Sequence, residues 1–532
     1  MINGKHLKKI IMSIGCLFLL TGCGLWLHAM QPDSYVTFYG GAGRVGGSSA
    51  IVSNGATKIM VDCGSFYGEE AVEGAGGKDE EFKFNASEVG DLLITHAHAD
   101  HAGNVMNLIR AGFNGKIRMT EPTKKILEVT WASQCVYEKN ASRHWRWSVR
   151  RKTRGIKAHW HAECEYNQKI LKKNLKEFVG TYDALCEYVS GISNSAPKYV
   201  TGCDVCCRLE IAGVMKRVET VEFDRSIEIK PFTIVFRPVK HLPGAAAIYF
   251  DDGVKSFVFS GDLGTCRSRM VANIEPAKKV DAVFVESTYG DGSYGDKAAV
   301  DSEYARFADT VVDAVKKRNL IWIPAFAIDR TQRVLIEVSK ALEKAGIQDC
   351  PVYVLSPSGN AVTDLYCNNC GWFDNFKETE YLRAIQKRVS RRFDPSKENA
   401  RWGVLVTTSG MMDAGFSKGL IPDLVPDDKV TICLVGYQSP QSPGGRLLKG
   451  GKTLTINGRK IKIAAKVEKF SCFSGHGDAR EIDEWLSNNR DSTIYLIHGD
   501  KDALKARKEG LAARYASKVE IVKPLHEYSI GR

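Results

Sequence analysis

The sequence contains no internal repeats and no long low-complexity tract, which excludes a repeat protein and an extended disordered chain. Cysteine accounts for only 15 of the 532 residues, at irregular spacings, and this argues against a disulfide scaffold. Cys63 and Cys433 lie inside apolar runs, where a free thiol packs as a small hydrophobic group. The cysteines therefore favour a reducing compartment.

Acidic residues are fewer than basic ones: 62 Asp and Glu against 74 Lys and Arg, a formal net charge of +12. This excess favours a polyanionic partner such as nucleic acid. Hydrophobic residues make up 44% and charged residues 26%, the composition of an ordinary globular protein. The length predicts two domains or one elaborated domain.

Residues 1–29 have the pattern of a secretory signal, because lysines precede an apolar run from Ile10 to Leu20. The tetrapeptide Leu20–Cys23 is similar to a bacterial lipobox, which predicts export and a lipid anchor at Cys23. The alternatives are an uncleaved anchor and a translation start at Met30. The thirteen cysteines after residue 23 favour the start at Met30 and a cytoplasmic protein. A membrane partner is expected only if the N-terminal segment is used.

The rest of the chain changes its periodicity twice. Short β-rich runs with glycine turns begin at Tyr35, and among them the sequence predicts strands over Tyr35–Tyr39, Lys58–Val61, Leu92–Thr95, Ile234–Val239 and Phe257–Phe259. After Glu286, helices alternate with strands, as in the predicted helix Arg330–Ala345 and strand Val352–Leu355, which indicates a wound α/β unit with a mainly parallel sheet. The β-rich character returns after Gly444. This order indicates one domain interrupted by an inserted one.

The strongest chemical signal is the segment Thr95–His101, which contains three histidines and Asp100 directly after a predicted buried strand. Imidazole nitrogen combined with carboxylate oxygen suits zinc. The chain has only twelve histidines, so a chance surface cluster is the weaker interpretation. His241 and Asp262 also follow predicted strands and could complete the same metal site, and the Asp262 carboxylate could bridge two metal ions.

The order of these motifs resembles the metallo-β-lactamase fold, with Asp62, His96 to His101, His241 and Asp262 at the positions of its ligand motifs. Three further segments are similar to the signatures of its β-CASP subgroup of RNA-processing nucleases: Val285–Gly290, Phe473–Asp478 and Ile497–Asp500. His498 and the short segment after it make the resemblance closer to the cleavage-and-polyadenylation endonuclease and its prokaryotic relatives.

The resemblance implies an α/β fold in which an αββα sandwich is interrupted by an inserted β-CASP domain. The expected divisions are a first sandwich part over residues 30–292, with a basic, cysteine-containing insertion at about 131–220, an inserted domain over 293–445, and a second sandwich part over 446–532.

The resemblance also implies the site residues. His96, His98 and His241 would hold one zinc ion, Asp100, His101 and His498 would hold a second, and Asp262 would bridge them. Asp62 would orient a ligand and the attacking water. Glu286 would hydrogen-bond His476, which would act as general acid. The implied substrate contacts are Arg330, Ser409 and Gly410.

The implied activity is zinc-dependent hydrolysis of RNA phosphodiester bonds, in which two metal ions about 4 Å apart activate a hydroxide. The expected partner is single-stranded RNA, and a homodimer is a further possibility. One alternative is a zinc hydrolase of the same fold that acts on DNA, a thioester or a lactone, since one fold hosts many activities. Another is a non-catalytic RNA-binding subunit.

Two features depart from the family pattern. The insertion contains arginines interleaved with tryptophans, among them Arg150, Arg151 and Arg154, which suits phosphate contact and base stacking, or else a solvated amphipathic helix. Lys240 stands where relatives usually have glycine.

Cys203 and Cys206 have zinc-ligand spacing and could form a structural zinc site with Cys164 or Cys186. The alternative is that these are buried or incidental thiols.

Charge reversal of Arg150, Arg151 and Arg154 together is expected to weaken RNA binding and to flatten its dependence on salt, because fewer counterions are then released from the RNA. The dissociation constant would be measured at several salt concentrations. Unchanged affinity and salt dependence would support the amphipathic helix instead.

Overall fold

The computed structural model describes residues 33–66, 82–132, 211–265, 267–270, 274–293, 295–397, 401–456, 458–515 and 518–530. The N-terminal segment, most of the basic insertion, Arg150, Arg151, Arg154 and the cysteines at 164, 186, 203 and 206 lie outside these residues. Among the helices of the described ranges, none has the length and apolar character needed to span a bilayer.

Of the strands in the described ranges, twenty belong to three large sheets and two form a separate hairpin. The first sheet has the spatial order β22-β1-β2-β3-β4-β5-β6 and consists of β1 (Tyr35–Gly40), β2 (Ser49–Asn54), β3 (Thr57–Val61), β4 (Asp91–Leu93), β5 (Lys116–Thr120), β6 (Val218–Val221) and β22 (Glu527–Ser529). The second has the order β21-β20-β11-β10-β9-β8-β7 and consists of β7 (Ser226–Ile229), β8 (Phe232–Pro238), β9 (Ala246–Asp251), β10 (Ser256–Phe259), β11 (Ala282–Glu286), β20 (Thr493–Ile497) and β21 (Val519–Ile521).

The third sheet is parallel throughout, as the sequence predicted for the inserted unit. Its order is β14-β13-β15-β12-β16-β19, and its strands are β12 (Leu320–Pro324), β13 (Val352–Leu355), β14 (Val389–Ser390), β15 (Gly403–Thr407), β16 (Val430–Leu434) and β19 (Lys466–Lys469). The hairpin consists of β17 (Thr453–Ile456) and β18 (Arg459–Lys462). Strand β19 lies beyond residue 445, where the sequence interpretation ended the inserted domain; the division into domains stays a prediction.

Helices cover the sheets and connect the parallel strands. They are α1 (Ala99–Ala102), α2 (Val105–Arg110), α3 (121–132), α4 (211–215), α5 (Lys297–Lys316), α6 (Arg330–Lys344), α7 (Pro357–Asn368), α8 (Lys377–Gln386), α9 (Gly415–Leu424), α10 (Pro443–Leu448), α11 (Ala479–Trp485) and α12 (Lys501–Arg514). Local sequence explains their starts: Asp296 accepts a hydrogen bond from Ala299 N ahead of α5, and Asp478 forms a capping box with Glu481 ahead of α11.

The first two sheets pack face to face through an aromatic core. Strand β1 alternates half-buried and buried residues, so that Phe38 points inward and its ring lies 5.4 Å from Phe284 and 6.2 Å from Phe259. Burying each such phenylalanine contributes about 2–3 kcal/mol, because its apolar surface leaves water. The resulting sandwich confirms the αββα fold class. In the third sheet, strands β12 and β15 are buried at every position, as expected of parallel strands that are covered by helices on both faces.

Arg333, on α6, ties the third sheet's unit to the loop that precedes α11. Its guanidinium is almost completely buried and donates to the backbone oxygens of Cys472 (3.3 Å), Phe473 (3.3 Å) and Ser474 (2.9 Å). The carboxylate of Asp329 lies 3.6 Å away. One side chain therefore satisfies three carbonyl groups of a loop that begins directly after β19.

Substitution of Arg333 by methionine is expected to lower the free energy of unfolding by about 3 kcal/mol, because buried carbonyl groups and Asp329 lose their donor. Urea denaturation followed by circular dichroism would measure the change. Lys316→Met, on the exposed face of α5, is the control and should change stability by no more than about 0.5 kcal/mol. Equal stability of the two variants would contradict the proposed contribution of the loop contacts.

Candidate metal centre

The candidate site lies where several strands of the two facing sheets end. Strands β10, β11 and β20 are parallel neighbours, so their carboxyl ends meet at one edge of the second sheet. Asp262 follows β10, Glu286 is the last residue of β11, and His498 follows β20 directly. The histidine segment follows β4 of the first sheet, and α1 places Asp100 and His101 one turn beyond His98.

Four ligand atoms form the first group of the site: nitrogens of His96, His98 and His241 and an oxygen of Asp262. His98 Nδ1 lies 3.2 Å from His96 Nε2 and 3.1 Å from His241 Nε2. Asp262 Oδ2 lies 3.4 Å from His96 Nε2 and 3.7 Å from His241 Nε2. These separations allow one cation to contact all four atoms.

Asp100, His101 and His498 form the second group. His498 Nε2 lies 3.3 Å from His101 Nε2 and 3.5 Å from Asp100 Oδ2. Asp262 faces this group with its other oxygen, Oδ1, which is 3.1 Å from His101 Nε2 and 3.5 Å from His498 Nδ1. The seven residues that the sequence singled out therefore meet in two adjoining groups that share one carboxylate.

Asp262 is the residue whose environment most clearly requires a cation. Its side chain is 1% exposed, and neither carboxylate oxygen accepts a hydrogen bond from the described part of the protein. A buried carboxylate without donors is costly unless it is paired or coordinates a metal. The neighbouring histidines lower the pKa of Asp262 well below its usual value despite burial, so the carboxylate is ionised. The residues present thus fit a metal ion, and their imidazole and carboxylate donors suit zinc.

The first group is also in the protonation state that metal binding needs. Burial and the neighbouring His96 lower the pKa of His98 to about 3. Burial likewise lowers the pKa of His96, and it lowers the pKa of His241 well below the ordinary histidine value. All three are neutral imidazoles at neutral pH, with a lone pair available for a cation.

Hydrogen bonds outside the two groups fix the ligand rings. Asp62 Oδ2 lies 2.7 Å from His101 Nδ1, and its carboxylate accepts hydrogen bonds from the backbone and hydroxyl of Thr95, both at 2.8 Å. The Thr95 hydroxyl also lies 3.0 Å from His96 Nδ1. His241 Nδ1 donates to the backbone oxygen of Gly475 at 2.8 Å. Such contacts set the tautomer and orientation of a ligating histidine.

The charge balance around His101 differs from that of the first group. Although burial opposes protonation, Asp262 and Asp62 raise the pKa of His101 well above its usual value. The proton on Nε2 must leave before that nitrogen can bind a metal, so metal binding in the second group releases a proton.

A second histidine–carboxylate pair lies beside Asp262. His476 Nδ1 is 3.1 Å from Glu286 Oε2 and 3.8 Å from Asp262 Oδ2. Glu286 also accepts hydrogen bonds from Leu263 N and the Thr288 hydroxyl, both at 2.6 Å. Burial lowers the pKa of His476, but Glu286 and Asp262 outweigh it and raise the pKa to about 10. His476 is therefore an imidazolium held beside the candidate metal centre.

Three residues next to the site have left-handed backbone conformations. The φ angles are 59° at Asp62, 57° at Lys240 and 49° at His498. This region favours glycine, which gives a physical reason for the glycine that the family resemblance leads one to expect at position 240. The Lys240 ammonium is 2.9 Å from the carboxylate of Asp374, which belongs to the unit of the third sheet.

The sequence interpretation missed Thr95 and Thr288, whose hydroxyl groups link a carboxylate to a ligand histidine. Thr288 Oγ1 donates to Glu286 and lies 3.1 Å from His498 Nδ1, the same arrangement that Thr95 makes between Asp62 and His96. Thr95 lies in the segment Thr95–His101 and Thr288 lies in the segment Val285–Gly290. Their positions inside these two motifs were the signal that could have identified them. Gly475 acts through its backbone oxygen, which no residue pattern reveals.

The predicted substrate-contacting residues lie in different places. Arg330 begins α6 and faces Gly475 at the edge of the metal centre. Ser409 and Gly410 follow β15 and are bonded to Asp413 and Gln438 instead of to the centre. Their role stays a prediction.

Sequence models of three protein families match the chain. The family described as "Metallo-beta-lactamase superfamily" matches residues 42–276, and that described as "Beta-Casp domain" matches residues 331–447. The family described as "Zn-dependent metallo-hydrolase RNA specificity domain" matches residues 460–522.

Three curated proteins are similar over most of this chain. The transcription termination factor FttA of Methanosarcina mazei is 24% identical over 528 residues, covering 94% of this chain and 71% of that protein. The ribonuclease TTHA0252 of Thermus thermophilus is 23% identical over 485 residues, covering 90% and 95%. The endoribonuclease YSH1 of Eremothecium gossypii is 24% identical over 500 residues, covering 90% of this chain and 56% of that protein.

Asp262→Asn is expected to weaken zinc binding by at least about tenfold, because the variant removes the one carboxylate that faces both groups. Titration of the full chain with zinc against a competing chelator would measure this affinity. Asp281→Asn is the control. Asp281 is an exposed carboxylate that accepts a hydrogen bond from Ser256 N at the start of β10, the strand that Asp262 follows. Equal zinc affinity of both variants would contradict the assignment of Asp262.

Proposed function

Because the chain belongs to the β-CASP group of the metallo-β-lactamase superfamily, we propose that it is a zinc-dependent ribonuclease that hydrolyses phosphodiester bonds of single-stranded RNA. The observation that supports this most strongly is the Glu286–His476 pair beside Asp262, which adds a proton donor to a cation-binding centre. The names of the relatives, a ribonuclease, an endoribonuclease and a transcription termination factor, favour RNA as the substrate, as does the match to an RNA specificity domain.

Two zinc ions would be held by the two groups. His96, His98 and His241 would hold the first, Asp100, His101 and His498 would hold the second, and Asp262 would contact both. When bound, the ions would supply Lewis-acid activation of the attacking water and would neutralise charge on the phosphoryl oxygens. A further structural zinc at Cys203 and Cys206 stays a prediction, since both residues lie outside the described ranges.

The chain's own residues then perform orientation and proton transfer. Asp62 and Thr95 hold His101 and His96 in place, and the Gly475 carbonyl holds His241, so that the ligand nitrogens point into the centre. Asp62 is also proposed to orient the attacking water, as the family resemblance implies.

His476 is proposed to protonate the leaving oxygen. Its Nδ1 is engaged by Glu286, which leaves Nε2 as the donor that faces the substrate. The carboxylate partner keeps the ring charged before the reaction and fixes its orientation during proton transfer. Cations bound at Asp262 would offset part of the raised pKa, which brings His476 closer to the range in which it can release its proton.

A hydrolase acting on DNA, a thioester or a lactone is the alternative, and it would use the same centre. The purified, zinc-loaded chain would be incubated with labelled single-stranded RNA, DNA of the same sequence, and thioester or lactone substrates, each with and without a chelator. We expect chelator-sensitive cleavage of RNA. Turnover of only the small substrates would overturn the ribonuclease proposal, and no turnover of any substrate would favour a non-catalytic RNA-binding subunit.

His476→Ala is expected to lower the rate of RNA cleavage by about 10²–10⁴-fold, because the leaving oxygen loses its proton donor. The zinc content, measured by elemental analysis, should be unchanged. His526→Ala, a substitution of an exposed histidine, is the control and should cleave at the normal rate. Full activity of the His476 variant would disprove the general-acid assignment, and a loss of zinc would show that His476 supports the metal centre instead.

A further inference from the structure

The proposed general acid lies in a segment with little intrinsic rigidity. His476 stands between Gly475 and Gly477, and glycine leaves the backbone more conformational freedom than any other residue. Close packing explains both glycines: a methyl group at Gly475 would lie 3.1 Å from His241 Cε1, and one at Gly477 would lie 3.0 Å from the Gly264 backbone oxygen. The position of His476 therefore depends on the contacts that this segment makes with its surroundings.

Ser474 holds the main chain of His476. Its Oγ accepts a hydrogen bond from His476 N at 3.2 Å, the local arrangement in which a serine hydroxyl closes a turn with the residue two positions ahead. Ser474 is 3% exposed, and its backbone oxygen accepts a hydrogen bond from Arg333 at 2.9 Å. The Ser474 main chain is thus fixed, whereas a serine hydroxyl can rotate unless a second partner orients it.

Tyr289 is that second partner. Its hydroxyl oxygen lies 2.7 Å from Ser474 Oγ, and its ring lies 5.8 Å from the His476 ring and nearly perpendicular to it, at 83°. Tyr289 follows Glu286, the last residue of β11, by three positions, and Glu286 contacts Nδ1 of the same histidine. The end of one strand therefore contacts His476 at two places: Glu286 at the ring, and Tyr289, through Ser474, at the main chain.

The two contacts have different effects on the imidazole. Glu286 contacts a single ring atom, Nδ1, and a contact at one atom leaves the ring able to pivot about it. The direction of Nε2 is then set by the main chain of His476. A proton donor must lie within hydrogen-bond reach of the leaving oxygen, and a displacement of about 1 Å can lower a reaction rate by about 10²-fold. A fixed main chain at His476 is therefore a requirement of the proposed proton transfer.

We infer that Tyr289 and Ser474 are positioning residues for the general acid: the Tyr289 hydroxyl orients the Ser474 hydroxyl, which holds the main chain of His476 so that Nε2 meets the leaving oxygen. The inference rests on the proposed ribonuclease function for the role of His476. The contacts themselves rest on the geometry of the three side chains and the His476 amide. Neither Tyr289 nor Ser474 has to touch the substrate.

The test uses the zinc-loaded full chain and four variants: Tyr289→Phe, Ser474→Ala, the double variant, and His476→Ala as the reference for a lost proton donor. Tyr515→Phe is the matched control. Tyr515 is also buried, and its hydroxyl donates to the backbone oxygen of Asp483 at 3.2 Å, a contact that involves no residue of the site. Elemental analysis would verify that all samples contain the same amount of zinc.

Two RNAs separate positioning of the acid from general damage. The first is a labelled RNA, whose products identify the linkage that the unmodified chain cleaves and the oxygen that leaves. The second is the same RNA with sulfur in place of that leaving oxygen. A thiolate leaves without a proton, so its departure does not require a general acid. Single-turnover rates with excess protein report the chemical step for both RNAs.

On the oxygen-containing RNA we expect Tyr289→Phe to be about tenfold slower than the unmodified chain, and Ser474→Ala at least as slow. The double variant should equal Ser474→Ala within about twofold, because both substitutions remove one linked contact. On the sulfur-containing RNA, His476→Ala and the positioning variants should come within about threefold of the unmodified chain. Tyr515→Phe should match the unmodified chain on both RNAs.

Hydrogen–deuterium exchange of the His476 amide, resolved by fragmentation mass spectrometry, tests the contacts without any substrate. The amide should exchange faster in Ser474→Ala, which removes its acceptor, and in Tyr289→Phe, which leaves that acceptor free to rotate. Tyr515→Phe should leave the exchange rate of this amide unchanged.

Normal cleavage of the oxygen-containing RNA by Tyr289→Phe would overturn the inference, and so would an equal loss of rate on both RNAs or unchanged exchange of the His476 amide. If one positioning variant does not fold, the other decides by the same criteria. If sulfur restores His476→Ala but not Tyr289→Phe, the inference fails alone; if sulfur does not restore His476→Ala, the acid assignment fails with it. If the unmodified chain cleaves no RNA but the amide exchanges faster in both variants, the contacts that hold His476 stand and the ribonuclease proposal fails.

Discussion

The structure depends on one electrostatic constraint: a carboxylate, Asp262, is buried among five imidazole rings and accepts no hydrogen bond from the residues that the structure describes. Such a group is tolerated only where charge of the opposite sign is available. The surrounding residues are arranged around this requirement. The neutral histidines His96, His98 and His241 lie on one side of the Asp262 carboxylate. Asp100, His101 and His498 lie on its other side. The rest of the site consists of contacts that keep these rings pointed at Asp262.

The two facing sheets satisfy this constraint by simple topology. Parallel neighbours in the second sheet place Asp262, Glu286 and His498 at successive strand ends, although His498 lies more than two hundred residues after the other two in sequence. The aromatic core around Phe38 and Phe284 holds the first sheet against this edge, and its β4 supplies the histidine segment. The precise spacing of the ligand atoms therefore follows from strand register and core packing together.

Much of this arrangement could be predicted from the sequence. The motifs directly follow predicted strands, and the carboxyl ends of neighbouring parallel strands meet at one edge of a sheet. The strand Val352–Leu355 has the predicted bounds, and the seven candidate ligands meet as expected. Arg333 could not be predicted, because its carbonyl partners lie about 140 residues away and backbone oxygens leave no trace in sequence. Nor could the sequence predict that Arg330 has no carboxylate within ion-pair distance among the described residues, because that depends on how the side chains pack. The strand β19 has only four residues, and Lys466 and Lys469 make it resemble an exposed loop.

The loop between β19 and α11 has a further mechanical consequence. It is bonded to α6 through Arg333 and to the sandwich through Gly477 N and Leu263 O, which are 2.9 Å apart. Separation of the two units at this loop would therefore break both sets of hydrogen bonds. Because His476 lies in this same loop, a displacement of either unit would move the proposed proton donor relative to Asp262.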